Sequence, residues 1–178
     1  GLARGFARGA IQPILVGCAL HNMGIDHLLN TIAALCPAAD SRKELDVVED
    51  DLIKTIPCTP AGLPVAFVFK TLSEEHLGEI NLVRVFAGKL SLGQDVYNVN
   101  RRTAERLGNM YFLRGKERTD AGELIAGDIG GLLKLKDTHA NDTLADKTIG
   151  FNVQPTVFPE PLVNVAIAAK NREEEDKI

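Results

Sequence analysis

Residues 123–144 read ELIAGDIGGLLKLKDTHANDTL, with a short apolar segment at 129–135 between two turn signals. Gly127 and Asp128 form the first signal, and Asn141, a residue type that tolerates a left-handed backbone, belongs to the second. A short apolar segment bounded by turns predicts a β-strand with tight connections to its neighbours. We interpret Asp128 as a turn residue that bonds nearby amides rather than as a catalytic acid.

The same pattern extends upstream and downstream of this stretch. From Pro64 onward apolar residues recur at every second position, and glycines separate further short apolar segments at 65–69, 82–87, 96–99, 109–113 and 148–153. Several short strands without intervening helices are typical of a closed or nearly closed barrel. The sequence therefore predicts a mainly β protein, with a Greek-key antiparallel β-barrel of six or more strands over residues 63–157.

The segment before the barrel has a different pattern. Residues 14–16 predict a short buried strand, and apolar residues from Ile25 to Leu35 recur at helical spacing until Pro37. Residues 1–40 are therefore predicted to be an α/β remnant of a larger domain. Residues 41–62 are charged and interrupted by prolines, which indicates a linker.

The segment after the barrel begins at Pro159 and Pro161, which mark a second boundary. Residues 162–168 predict a short strand, and the charged residues 171–178 predict a helix too short to hold on its own. Residues 158–178 are therefore expected to be a linker and the first strand of a further domain.

Composition narrows the possible functions. The chain has 178 residues, of which 45% are hydrophobic and 25% charged, values typical of a globular domain with a real core. The net charge of −4 argues against a free-standing protein that holds nucleic acid by broad charge neutralisation, so any RNA contact must be confined to one face. Cys18, Cys36 and Cys58 are odd in number and widely spaced, which favours a reducing compartment over a disulfide framework or zinc site. No apolar run approaches the roughly 20 residues of a membrane span, so we expect a cytoplasmic protein, cut from a longer one.

An ordered series of short motifs resembles the elongation factor G family of bacterial translational GTPases. The series covers nearly the whole chain: Gly17-Cys18-Ala19, Asn22-Met23-Gly24, Phe67-Val68-Phe69-Lys70, Arg84-Val85 with Gly88, Asp95-Val96-Tyr97-Asn98, Glu105-Arg106-Leu107-Gly108, Arg114-Gly115-Lys116, Ala126-Gly127-Asp128-Ile129, Asp142-Thr143-Leu144, Pro159-Glu160-Pro161 and Lys170. Cys18 stands where the family usually has serine. The sequence is less similar to the family before Pro13.

The resemblance implies a specific domain organisation and function. Residues 1–40 would be the end of a GTPase domain, the barrel would be domain II, and residues 158–178 would begin a ferredoxin-like domain III. The full-length protein would use GTP and magnesium to drive ribosomal translocation, and the barrel would couple the GTPase domain to the ribosome and contact small-subunit rRNA. Gly17, Cys18 and Ala19 would form the last guanine-recognition loop of the intact protein, with the Ala19 amide facing the base.

The chain itself lacks the motifs that hold a nucleotide. It contains neither the G-x-x-x-x-G-K-[ST] loop that cradles phosphates nor the Asn-Lys-x-Asp guanine motif. We therefore expect no catalytic residue and no bound cofactor in this fragment. Two alternatives remain open: the barrel of a paralogous GTPase that recycles or protects ribosomes, and a stand-alone barrel that binds RNA or protein.

Basic residues in two consecutive predicted hairpins are the candidate rRNA contacts: Arg101, Arg102, Arg106, Arg114 and Lys116. Lysine and arginine contacts to phosphates position a protein without reading sequence, which suits docking on a fixed RNA helix. The alternative is a solubilising surface, because Glu105, Glu117 and Asp120 lie among these cations. Arg84 shares a strand face with Leu82 and Phe86, so we expect it to be half-buried and paired with a carboxylate.

The remaining polar residues favour ordinary structural roles. The four histidines, His21, His27, His76 and His139, have no metal-binding spacing, so no metal site is expected. Cys18 is interpreted as a small buried thiol rather than a nucleophile. Fragment monomers are expected, or weak association through the unpaired strand edges at the two ends.

Overall fold

A computed structural model describes residues 1–74, 78–115, 117–163, 165–166 and 168. Its regular elements, within those residues, are two helices, one 3₁₀ turn and thirteen strands. The helices are α1 (Leu2–Ala7) and α2 (Ile25–Leu35), and the 3₁₀ turn is Ala39–Ser41. The strands are β1 (Glu44–Glu49), β2 (Leu52–Pro57), β3 (Val65–Glu74), β4 (Gly78–Ala87), β5 (Lys89–Ser91), β6 (Asp95–Asn98), β7 (Thr103–Arg106), β8 (Asn109–Arg114), β9 (Glu117–Asp120), β10 (Glu123–Ile125), β11 (Ile129–Leu133), β12 (Thr143–Ala145) and β13 (Asn152–Val153).

An eight-stranded antiparallel sheet forms the body of the protein, in the order β7-β6-β12-β3-β4-β11-β8-β9. Strands β5 and β10 form a separate pair. One buried cluster collects side chains from the middle and both ends of this sheet and from the β5–β10 pair, including Val68, Val96, Met110, Leu124 and Leu144. A sheet whose two ends share one core must be rolled, which confirms the predicted mainly β, barrel-type fold.

The central strands β3 and β4 bury both of their faces. Ala66 and Val68 face the barrel core, while Val65 and Phe67 belong to a second cluster on the outside of the barrel. This second cluster lies under a three-stranded sheet in the order β13-β1-β2. The alternation of period two therefore assigns successive residues of β3 to two different cores.

The linker prediction for residues 41–62 is wrong for residues 44–57, which form the β1–β2 hairpin. Its two-residue turn is Asp50-Asp51, with φ angles of 51° and 62°, the left-handed geometry that matches the twist of paired strands. Leu45 and Val47 are 3% and 0% exposed, because they cover the outer face of the barrel at Phe67. Burial of these two side chains stabilises the strand although the charged residues Glu44, Asp46 and Glu49 lie around them.

The N-terminal prediction is correct for the helix and wrong for the strand. Helix α2 spans Ile25–Leu35 with Asp26 in its first turn, where an acid suits the helix dipole. Residues 11–17 have no regular structure, and Ile14 and Val16 are 93% and 92% exposed. No described strand pairs with this segment, so its backbone forms no strand-to-strand hydrogen bonds there. Helix α1 was not predicted.

The C-terminal segment carries no strand in its described part. Residues 162, 163, 165, 166 and 168 lack regular structure, while Lys170 and the tail 171–178 lie outside the described residues. The strand predicted at 148–153 is reduced to the two residues of β13, which pair with β1 rather than with the barrel.

Candidate nucleic-acid interface

The β6–β7 hairpin presents two of the predicted cations at its turn. The Arg101 backbone N–H donates to Asn98 Oδ1 at 3.1 Å, and Asn100 Oδ1 accepts a hydrogen bond from the Thr143 N–H at 2.8 Å. Arg102 adopts a left-handed backbone, with φ of 58°. The turn is therefore fixed to β12 by side-chain hydrogen bonds, and its two arginines have defined positions.

Arg101 is committed to an internal ion-pair network. Its Nε donates to Asp142 Oδ2 at 3.2 Å, and its Nη1 lies 3.4 Å from Asp137 Oδ1. The Asp142 side chain is only 7% exposed and also accepts hydrogen bonds from Asn98 Nδ2 and the His139 N–H. A buried carboxylate needs such partners, so the guanidinium of Arg101 neutralises Asp142.

Arg102 is exposed and makes no ion pair with a carboxylate among residues 1–74, 78–115 and 117–163. It borders an open cleft together with Tyr97, Asn152 and the turn residues Asp50 and Asp51. Of the adjacent pair Arg101 and Arg102, only the second makes no ion pair in the described part of the chain, and the carboxylates that share its cleft are those of Asp50 and Asp51.

The other predicted cations lie further away along the sheet. Arg106 Nη1 lies 3.1 Å from Asp95 Oδ1 across the β6–β7 ladder, with both side chains about 70% exposed, and such a surface pair is weak. Arg114 is exposed at the end of β8, opposite Glu117 in the register. Lys116 lies outside the described residues. Arg101, Arg102 and Arg106 therefore belong to the β6–β7 hairpin, and Arg114 belongs to the β8–β9 hairpin.

Sequence reasoning missed Glu105 as the residue that organises this region. Glu105 is 1% exposed, and its carboxylate accepts hydrogen bonds from the backbone N–H groups of Lys136 and Asp137 and from the Thr138 hydroxyl, at 2.8–3.1 Å. The spacing of two between Glu105 and the buried Leu107 was the available signal for an inward orientation. Glu105 and Asp142 together fix the loop of residues 134–142 beside Arg101.

The predicted guanine-recognition loop forms a compact turn. Cys18 and Met23 exchange two backbone hydrogen bonds of 2.9 and 3.0 Å, and the Asn22 N–H donates to the Ala19 carbonyl at 3.2 Å. A Cβ on Gly17 would lie 2.9 Å from the Met23 carbonyl oxygen, so the close approach requires glycine there. Within the described part of the chain, no group accepts a hydrogen bond from the Ala19 N–H.

Arg84 is half-buried, as predicted, but its predicted carboxylate partner is absent among the described residues. Its Nη2 donates instead to the Ala39 carbonyl at 3.3 Å, and its guanidinium lies over the Phe86 ring. A backbone carbonyl and an aromatic face take the place of the carboxylate, because the 3₁₀ turn lies against this part of β4.

Two further properties bear on the kind of protein. In the described portion, no helix is both long and apolar enough to cross a membrane. The same portion holds no group of three or more histidine, cysteine, aspartate or glutamate side chains that could bind a metal ion.

Comparison with known proteins gives a consistent result. Residues 64–147 match the family model described as elongation factor G domain 2. The chain is 32% identical to elongation factor G of Petrotoga mobilis over 94% of its length, and 28% identical to elongation factor G of Gluconobacter oxydans over 99%. It spans about a quarter of the length of each of these relatives.

One solved structure is similar in fold. A crystal structure of a protein from Thermus thermophilus matches 99% of this chain with a TM-score of 0.68, at 22% sequence identity. The match covers 24% of that protein. At this identity the likeness supports the fold alone.

Proposed function

We propose that the chain is part of a cytoplasmic GTPase that drives ribosomal translocation, because residues 64–147 match the family model of elongation factor G domain 2. The observation that carries this proposal is the family match over the whole rolled sheet. The two elongation factor G relatives, which match 94% and 99% of the chain, extend the similarity beyond this domain.

In this proposal the chain supplies coupling and docking rather than chemistry. Residues 1–40 are the end of the GTPase domain and residues 158–178 lead into domain III. The barrel therefore connects these two domains along the chain. GTP and magnesium belong to the intact protein. There the unpaired N–H of Ala19 is suitably placed in its turn to donate to a guanine carbonyl, as the sequence resemblance implies.

The ribosome contact is proposed to centre on Arg102 rather than Arg101. Arg102 is exposed, makes no ion pair in the described part of the chain, and belongs to a turn that the Asn100–Thr143 hydrogen bond joins to β12. Arg101 is already paired with Asp142 and Asp137, so its charge attracts a phosphate less strongly. Arg106 and Arg114, which are exposed, are secondary candidates.

Arg102→Glu in the intact factor is expected to weaken ribosome binding on the order of 10-fold at low salt, because a phosphate contact becomes a repulsion. Binding measured by co-sedimentation over a salt series should show the difference shrinking as salt rises. Lys134→Glu is the matched control, since Lys134 is also exposed and left-handed, with φ of 59°. Equal affinities of the two variants would refute a specific role for Arg102.

The 178-residue chain is expected to bind neither GTP nor GDP at micromolar concentration. Binding energy for a nucleotide comes mainly from the phosphate loop and its magnesium, and the sequence contains no such loop. Isothermal titration should therefore give only heats of dilution. A saturable heat with one nucleotide per chain would contradict this prediction.

A further inference from the structure

A small cleft on the outside of the barrel gathers two arginines around one aromatic ring. It lies between the 3₁₀ turn Ala39–Ser41, Cys58 at the end of the β1–β2 hairpin, and Arg84 and Phe86 on β4. The guanidinium carbons of Arg42 and Arg84 lie 5.5 and 5.4 Å from the centre of the Phe86 ring. Cation–π attraction holds both charges at this position.

Neither guanidinium is neutralised by an ion pair in the described residues. Arg84 donates to the Ala39 carbonyl, and Arg42 Nε donates to the Glu44 carbonyl at 3.1 Å. Asp40 also lines the cleft, but its carboxylate lies beyond ion-pair distance of both arginines. Other arginines of the barrel, such as Arg101 and Arg106, do pair with carboxylates. The cleft therefore concentrates two positive charges.

One of the two arginines also has a buried donor that lacks an acceptor within the described part of the chain. Arg84 Nε is inaccessible to solvent and has no hydrogen-bond partner among the described residues. A buried N–H of a charged group is costly unless it is satisfied. The cleft, which Arg84 lines, offers a cavity of about 40 Å³, which is room for a group of a few atoms. A water molecule in the cleft would leave the two guanidinium charges without a counter-charge, whereas an anion would neutralise them.

We infer that this cleft binds a phosphate-type oxyanion, with the guanidinium groups of Arg84 and Arg42 as its ligands. The ligand is either a free inorganic phosphate or a phosphodiester of RNA, and both present the same oxygens. The cleft shares no lining residue with the cleft beside Arg102, so the inference does not depend on a role for Arg102.

Cys58 provides a reporter, because its thiol lines the cleft. Burial raises the pKa of the Cys58 thiol, and the positive charges of Arg42 and Arg84 oppose that rise. A bound anion would cancel the arginine charges and cover the thiol. Both effects slow alkylation, since the thiolate is the reactive form.

The test measures alkylation of Cys58 by iodoacetamide in a Cys18→Ser, Cys36→Ser background. Replacing chloride by phosphate at constant ionic strength should slow the reaction several-fold, with saturation at millimolar phosphate. The same dependence should be lost in Arg84→Met and in Arg42→Met, which keep most of the side-chain packing. Arg114→Met, an exposed residue on β8, is the control and should keep it.

Further measurements distinguish the two ligands and check the variants. A ten-nucleotide RNA is tested in place of inorganic phosphate. If the RNA protects Cys58 at a lower concentration of phosphate groups than inorganic phosphate does, the ligand is a phosphodiester. If only inorganic phosphate protects Cys58, the ligand is the free ion. The ³¹P line of inorganic phosphate should broaden with the parent chain and recover after Cys58 is alkylated, which needs no arginine variant to fold. Circular dichroism spectra show whether the variants keep the fold of the parent chain. No protection in the parent by either ligand, or protection unchanged in both methionine variants, would overturn the inference.

Discussion

Glu105→Ala is expected to lower the free energy of unfolding of the 178-residue chain by about 3 kcal/mol. The carboxylate is 1% exposed and serves as the acceptor for two backbone N–H groups and one hydroxyl of residues 136–138. Alanine leaves these donors without partners and leaves a cavity at a buried position. The loss exceeds that of an ordinary surface substitution because hydrogen bonds to a charged acceptor are the stronger kind.

Glu105→Gln should fall between the parent and the alanine variant. Glutamine keeps one acceptor oxygen for Asp137 and Thr138, but its NH₂ group would face the Lys136 N–H, which now donates to both carboxylate oxygens. We expect a loss of about 1–2 kcal/mol for this variant.

Urea unfolding followed by circular dichroism measures both losses. Glu123→Gln is the control, because Glu123 is 56% exposed and makes only a surface pair with Lys89, which contributes at most about 1 kcal/mol. If Glu105→Ala were no more destabilising than Glu123→Gln, the loop of residues 134–142 would not depend on the buried carboxylate.

Much of the barrel could be predicted from the sequence because its strands follow a period of two and end at glycines. The missed hairpin shows what this pattern leaves out. Val65, Ala66, Phe67 and Val68 are apolar on both faces of one strand, which indicates that something covers each face. The covering element, residues 44–57, carries only two inward apolar side chains in β1, Leu45 and Val47. The surrounding charged residues, Glu44, Asp46 and Glu49, make the segment resemble a linker.

The candidate site was harder to predict, because an arginine's partner can come from any distance along the chain. Arg101 and Arg102 are adjacent and identical in type, yet one pairs with Asp142, 41 residues away, and the other does not. Arg84 likewise finds a carbonyl 45 residues upstream. The local sequence pattern predicts where on a hairpin a charged residue lies. Only the packed fold shows which distant residue, if any, pairs with that charge.

Gly88→Ala is expected to destabilise the chain by about 3 kcal/mol or more, because it combines a strained backbone with a collision. Gly88 joins β4 to β5 with φ of 60°. A Cβ there would lie 2.7 Å from the Leu63 carbonyl carbon and 2.8 Å from the Gly62 carbonyl oxygen. The turn cannot move away easily, since the Gly88 N–H donates to the Thr59 carbonyl and its carbonyl accepts from Ala126.

Gly93→Ala separates the two contributions to this loss. Gly93 has φ of 80°, and a Cβ there would meet no atom within 4 Å. Alanine at this position should therefore lower the free energy of unfolding only by the penalty of a left-handed backbone, about 1–2 kcal/mol. Unfolding curves of the two variants in urea, at the same pH and salt, give the difference directly. Equal losses would show that the 62–63 backbone yields to a side chain at position 88. A larger loss for Gly88→Ala would show that close packing of residues 62–63 against the β4–β5 turn restricts position 88 to glycine.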